Sequence, residues 1–156
     1  MFTILVISDN HGDKDVMEKV LERENYDYSV HLGDSQMSQA EIESMFNFYV
    51  GGNNDQGFSV EEEVLEFDHL RVAICHGHTV FDRSGGMQLA LAQFAQKYRA
   101  QVVLFGHTHI PTWENYQGLT FINPGSITFP RSFEGKTYCL VEIDDYKVAN
   151  VIFKNP

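Results

Sequence analysis

The chain has 156 residues, 43% of them hydrophobic, and a formal net charge of −11. That size and composition favour one domain, residues 1–156, around one core, and give no sign of disorder. The acidic balance argues against general nucleic-acid binding, because phosphate backbones call for Lys and Arg, and two cysteines cannot make a disulfide framework.

Phe2 to Ser8 is a short apolar run ended by polar residues, the mark of a buried strand. It is too short to span a bilayer and has no basic leader, so the protein reads as soluble and cytoplasmic, with no membrane partner. Asp13 or Asp15 is placed to cap a helix whose inner face carries Val16, Met17, Val20 and Leu21. Tyr28 to Leu32 reads as a second strand ending at Gly33. A short helix over Gln39 to Met45 leads to a third strand, Phe46 to Val50, stopped by Gly51-Gly52. Val60 to Phe67 and Leu70 to Cys75 form a hairpin pattern across Asp68-His69. The clearest helix runs from about Gly86 to Arg99, with Met87, Ala90, Leu91, Phe94, Ala95 and Tyr98 at helical spacing. Gln101 to Phe105 is again a short apolar strand. Thr112 to Tyr116, Leu119 to Ile122, Thr137 to Ile143 and Lys147 to Phe153 follow as strands. Cys75 and Cys139 fall in such runs, as free buried thiols. Early strand–helix alternation gives an α/β class, and the late run of strands suggests a second sheet. An αββα sandwich of two mixed β-sheets flanked by helices satisfies both.

Five strand ends carry the chemistry. They are followed by Asp9-Asn10-His11, Gly33-Asp34, Gly52-Asn53-Asn54-Asp55, His76-Gly77-His78 and Gly106-His107-Thr108-His109. Ligand sites in α/β sheets form outside the carboxyl ends of strands, so these groups can converge. Asp, Asn and Gly suit turns in any protein, but the histidines have no such ordinary explanation. Imidazoles with carboxylates suit Zn, Mn, Fe, Ni or Co, and more than four candidate ligands suggest two ions.

In this order, Asp9-x-His11, Gly33-Asp34, Gly52-Asn53, His76 and Gly106-His107-x-His109 resemble the signature of the calcineurin-like metallophosphoesterases, and the match spans Asp9 to His109. Asn123-Pro124-Gly125-Ser126 further resembles the small stand-alone prokaryotic phosphodiesterase subgroup. The resemblance implies that Asp9, His11 and His109 hold one divalent ion and that Asn53, His76 and His107 hold another. Asp34 then bridges both. It also implies a catalytic role for Asp34, with a hydroxide between the ions attacking a small phosphodiester substrate. Manganese is the expected metal, with nickel, iron, cobalt and zinc as alternatives.

One position departs from the family. The residue after the ligand Asn is commonly a His that protonates the leaving group, and here it is Asn54, whose amide cannot act as a general acid. His78 is the candidate to replace it or to contact phosphate. The bland reading of His78 is a hydrogen-bonding support. His31 reads as a packed or supporting residue, His69 as an exposed turn residue, Asp55 as an orienting or turn residue and Arg131 as a surface charge. Strand edges in the late hairpins suggest a homo-oligomer. The rival functions are a non-catalytic scaffold, as in the small subunit of retromer, and a phosphate or nucleotide sensor.

Overall fold

The computed structural model describes residues 1–81 and 85–156. Its first sheet has the order β10-β9-β1-β2-β3, built from β1 (Phe2–Ile7), β2 (Tyr28–His31), β3 (Phe48–Tyr49), β9 (Tyr138–Asp144) and β10 (Lys147–Lys154). The second has the order β4-β5-β6-β8-β7, from β4 (Glu62–Phe67), β5 (Leu70–Cys75), β6 (Val102–Leu104), β7 (Thr112–Tyr116) and β8 (Leu119–Asn123). Both sheets are mixed. β1, β2 and β3 run parallel, as do β5, β6 and β8, while β9, β10, β4 and β7 pair antiparallel.

The apolar runs are continuous because both faces of the inner strands are buried. In β1, Ile4 and Val6 point between the sheets, where they meet Val72, Ile74 and Leu104. Leu5 and Ile7 point the other way, against Met17 and Val20 of α1 (Lys14–Arg23) and Ile42 of α2 (Gln39–Met45). In β5, Val72 and Ile74 face inward while Ala73 and Cys75 face Ala90, Leu91, Phe94 and Ala95 of α3 (Met87–Tyr98). The layers are therefore α1 and α2, first sheet, second sheet, α3, as expected.

Three expectations need correction. The late strands do not form one sheet: β7 and β8 join the second, and β9 and β10 return to the first, with Phe2 opposite Ile143 and Val6 opposite Cys139. The third strand is two residues long, because Phe46 is the C-cap of α2 and its N–H closes onto Ile42. The fourth begins at Glu62 rather than Val60. Asp13, not Asp15, caps α1, accepting from the Val16 N–H. Cys75 and Cys139 are free and buried. Among the described residues, no helix is long and apolar enough to cross a membrane.

Candidate metal centre

The carboxyl ends of β1, β2, β5 and β6 meet at one edge, where backbone hydrogen bonds stitch their loops together. Asp9 N–H donates to Gly33 O at 3.0 Å, His11 N–H to Asp34 O at 3.0 Å and Gly106 N–H to His76 O at 2.9 Å. The glycines let the loops close: a Cβ on Gly52 would sit 2.2 Å from Asp34 Oδ1, and one on Gly106 would sit 2.2 Å from Ser8 Oγ. Asp9, His11, Asp34, His107 and His109 all adopt positive φ, between 44° and 70°.

Asp9 is fully buried. Its Oδ2 accepts from the Ser8 hydroxyl and the His107 N–H. Its Oδ1 faces His109 Nε2 at 3.1 Å, His76 Nε2 at 3.8 Å and His11 Nε2 at 3.9 Å, yet among the described residues no donor is aligned on it for a hydrogen bond. Asp34 Oδ2 lies 3.4 Å from His76 Nε2 and 4.0 Å from His11 Nε2, between the two rings.

Three of the imidazoles are held in the same sense. His11 Nδ1 donates to Gln36 Oε1 at 2.9 Å, His76 Nδ1 to Leu32 O at 2.8 Å and His109 Nδ1 to Phe129 O at 2.7 Å. With Nδ1–H engaged, each Nε2 keeps its lone pair for the centre. His107 turns its Nδ1 to His76 Nε2 at 3.3 Å, a contact between two basic nitrogens. The orphaned Asp9 Oδ1 and His11 Nε2 therefore sit in a nest of nitrogen lone pairs and carboxylate oxygens, which fits divalent cations of the imidazole- and carboxylate-binding kind. Among the described residues, two overlapping clusters have metal-binding spacing, Asp9 with His11 and His109, and Asp9 with Asp34 and His76. Asn53 alone among the seven candidates is exposed, in the turn after Gly52.

Electrostatics follows the same geometry. Burial opposes ionisation of Asp34, but the neighbouring His76 and the Asn54 amide outweigh it and hold the carboxyl well below the usual range. Burial likewise works against the Asp9 carboxylate, and His109 and His76 overcome it, so its pKa is also lowered. The adjacent Asp9 carboxylate raises the pKa of His109. Burial, then the neighbouring His76, lowers His107. Burial holds His31 near 4, so it stays neutral. It accepts from Gly33 N–H at Nδ1 and donates from Nε2 to Asn10 Oδ1 at 2.8 Å.

Asn54 grips Asp34 twice, its N–H on Oδ1 and its Nδ2 on Oδ2, each at 2.9 Å. Asp55 orients the loop, accepting from the N–H groups of Asp34, Gln36 and Gly52 and from Ser35 Oγ. Asn123 ties β8 to Gly106 O and Thr108 Oγ1, and Ser126 Oγ reaches Asp9 O. His78 places Nε2 3.4 Å from Glu61 Oε2, with its ring 5.5 Å from that of His76 and its Nδ1 buried without a partner. His69 is exposed at its turn and Arg131 on the surface. Gln36, Thr128 and Phe129 went unread in the sequence. Gln36 stands two residues past Asp34 in a loop without periodicity, and only a count of imidazole partners would have called for it.

Known proteins resemble this chain along its length. The family profile described as a calcineurin-like phosphoesterase superfamily domain matches residues 2–146. A protein described as a probable metallophosphoesterase of Mycoplasma pneumoniae is 30% identical over 159 residues, covering 100% of this chain and 99% of that one. A crystal structure from Streptococcus pneumoniae, of a conserved uncharacterized protein and predicted phosphoesterase, superposes with a TM-score of 0.85 at 34% identity. It covers 99% of this chain and 89% of its own. Vps29 of Entamoeba histolytica, solved with zinc, shares the fold with a TM-score of 0.75 at 22% identity over 97% of each chain.

Proposed function

The chain belongs to the calcineurin-like phosphoesterase superfamily, and from that premise we propose that its centre holds two divalent cations and hydrolyses phosphodiesters with water as the nucleophile. The observation that carries the reading is the pair of buried, unpartnered ligand atoms, Asp9 Oδ1 and His11 Nε2, ringed by imidazoles whose other nitrogens are already engaged. Asp9, His11 and His109 would hold one ion, and His76, His107 and the Asn53 amide oxygen the other. Asp34 would bridge, since its Oδ2 lies within 4.0 Å of an imidazole from each set. When bound, two such cations supply Lewis acidity, lowering the pKa of water and neutralising charge on phosphoryl oxygens. Manganese is our first choice, and zinc the alternative suggested by the Vps29 neighbour.

The chain's own groups complete the site. Asn54 donates to both carboxylate oxygens of Asp34, which favours its ionised form. Asn54 is committed to Asp34 and has no proton to give a leaving group. His78, with Nε2 3.4 Å from Glu61 Oε2 and its ring 5.5 Å from that of His76, is our candidate to contact a phosphate or ester oxygen. With a formal charge of −11 on the chain, attraction for an anionic ester must be local to the metal centre.

The test is hydrolysis of bis-p-nitrophenyl phosphate by metal-stripped protein with manganese restored. Turnover that needs the metal, and that falls more than about 100-fold in Asp34→Asn, is the expected result. Metal binding without turnover on manganese, nickel, cobalt or zinc would transfer the assignment to a scaffold or sensor.

A further inference from the structure

The loop after β8 is tied to the centre at several points. Thr128 Oγ1 and Ser126 Oγ donate to Asp9 O at 2.9 and 2.8 Å, and Phe129 N–H donates to Ser126 Oγ at 2.8 Å. His109 Nδ1 donates to Phe129 O at 2.7 Å, and Arg131 N–H returns a bond to His109 O at 3.2 Å. Pro130 stiffens the next step. The segment is therefore fixed to two of the candidate ligands by both side chain and backbone.

On this rigid segment stands an exposed apolar ring. Phe129 is 59% exposed, and its ring packs edge-on against His11, with centroids 5.2 Å apart. Beyond it an open depression is lined by Pro130, Arg131, Ser132, Phe133 and Glu134, with Phe133 fully exposed. A lone exposed Phe is ordinary on a protein surface. Here the two most exposed Phe, Tyr or Trp rings among the described residues share one short loop, and one of them touches a ring of the candidate centre. The loop's hydrogen bonds hold that ring in place before any ligand arrives, which removes most of the ordering cost of stacking on it.

We infer that Phe129 is a specificity-determining residue, a platform on which an aromatic group esterified to the phosphate, an aryl ring or a nucleobase, lies while the phosphate occupies the centre. This rests on the phosphodiesterase reading for the place of the phosphate, and adds the class of ester preferred. Every base or aryl group offers a π-face, so the platform selects for a ring without reading its edges.

Phenylphosphonate and methylphosphonate test it, because they present the same phosphoryl group and differ only in the ring. Calorimetric titration of the manganese-loaded protein should give about tenfold tighter binding of phenylphosphonate. Phe129→Ala should bring the ratio near one, and Phe129→Tyr should keep it. Equal affinities in the unaltered protein, or a ratio unchanged in Phe129→Ala, would overturn the platform. So would an equal loss for both ligands in Phe129→Ala, which would mean that the ring only supports His11. Hydrolysis of bis-p-nitrophenyl phosphate, read on the same preparation, separates the two readings. Turnover without ring preference defeats the platform alone, and ring preference without turnover defeats the phosphodiesterase alone.

Discussion

Gln36 decides which nitrogen of His11 faces the centre. Its Oε1 accepts from Nδ1, so the Nε2 lone pair is free for a ligand role, and without that acceptor the ring could flip or change tautomer. Gln36→Ala should weaken manganese binding by roughly tenfold, while Gln36→Glu, which keeps an acceptor, should lose less. Asp55 acts one step further out. Its carboxylate takes three backbone N–H groups and a hydroxyl, so Asp55→Ala leaves part-buried donors without a partner and frees Asp34 to move. The expected result is a manganese affinity about 10–100-fold lower, measured by competition with a chelator, and a lower melting temperature. A variant that binds the metal like the unaltered protein would show that Asp34 is held by Asn54 alone.

The loops between elements depend on close approach as much as on ligand identity. A methyl at Gly52 meets Asp34 Oδ1 at 2.2 Å and the Asp34 backbone N at 2.5 Å, and backbone cannot yield as a flexible side chain can. Gly52→Ala should cost about 1–3 kcal/mol of stability by overpacking and displace Asp34, with chemical denaturation and metal titration as the readouts. The strand ends that carry Asp9, Asp34, His76 and His107 were legible because their strands are buried on both faces and read as unbroken apolar runs. The αββα layering was legible for the same reason. Which sheet β9 and β10 would join was not. Alternation fixes which side chains share a face, but pairing Phe2 with Ile143 is a contact across nearly the whole chain. β3 was overdrawn because Phe46 is apolar enough for a strand, yet serves as a helix cap. Phe129 was missed because aromatic residues in a chain like this mostly fill the core, and exposure leaves no mark on a sequence.

Across the whole molecule, the ends of the chain are fastened on the face that carries α1. Glu24, the C-cap of α1, accepts from Tyr138 of β9 at 2.5 Å and from Lys154 of β10 at 2.8 Å. Arg23 reaches the same Tyr138 hydroxyl at 2.7 Å. Burial resists the Glu24 charge, but Lys154 and Tyr138 outweigh it and lower its pKa below the ordinary 4.5. A carboxyl with a lowered folded pKa adds stability above its unfolded value, and that stability is lost as pH falls through the folded one. Thermal melts of Glu24→Gln should therefore lie a few degrees below the unaltered protein at neutral pH, and the gap should narrow as pH drops below 4.5. The centre draws on stability in another way. Asp9, His11, Asp34, His107 and His109 each hold a left-handed backbone that costs roughly 1–2 kcal/mol per residue relative to glycine. In a lineage released from metal binding, glycine at His11 or His107, the two of these that are only half-buried, would recover that cost without emptying the core, so part of the candidate centre would decay downhill in folding free energy while the fold endured.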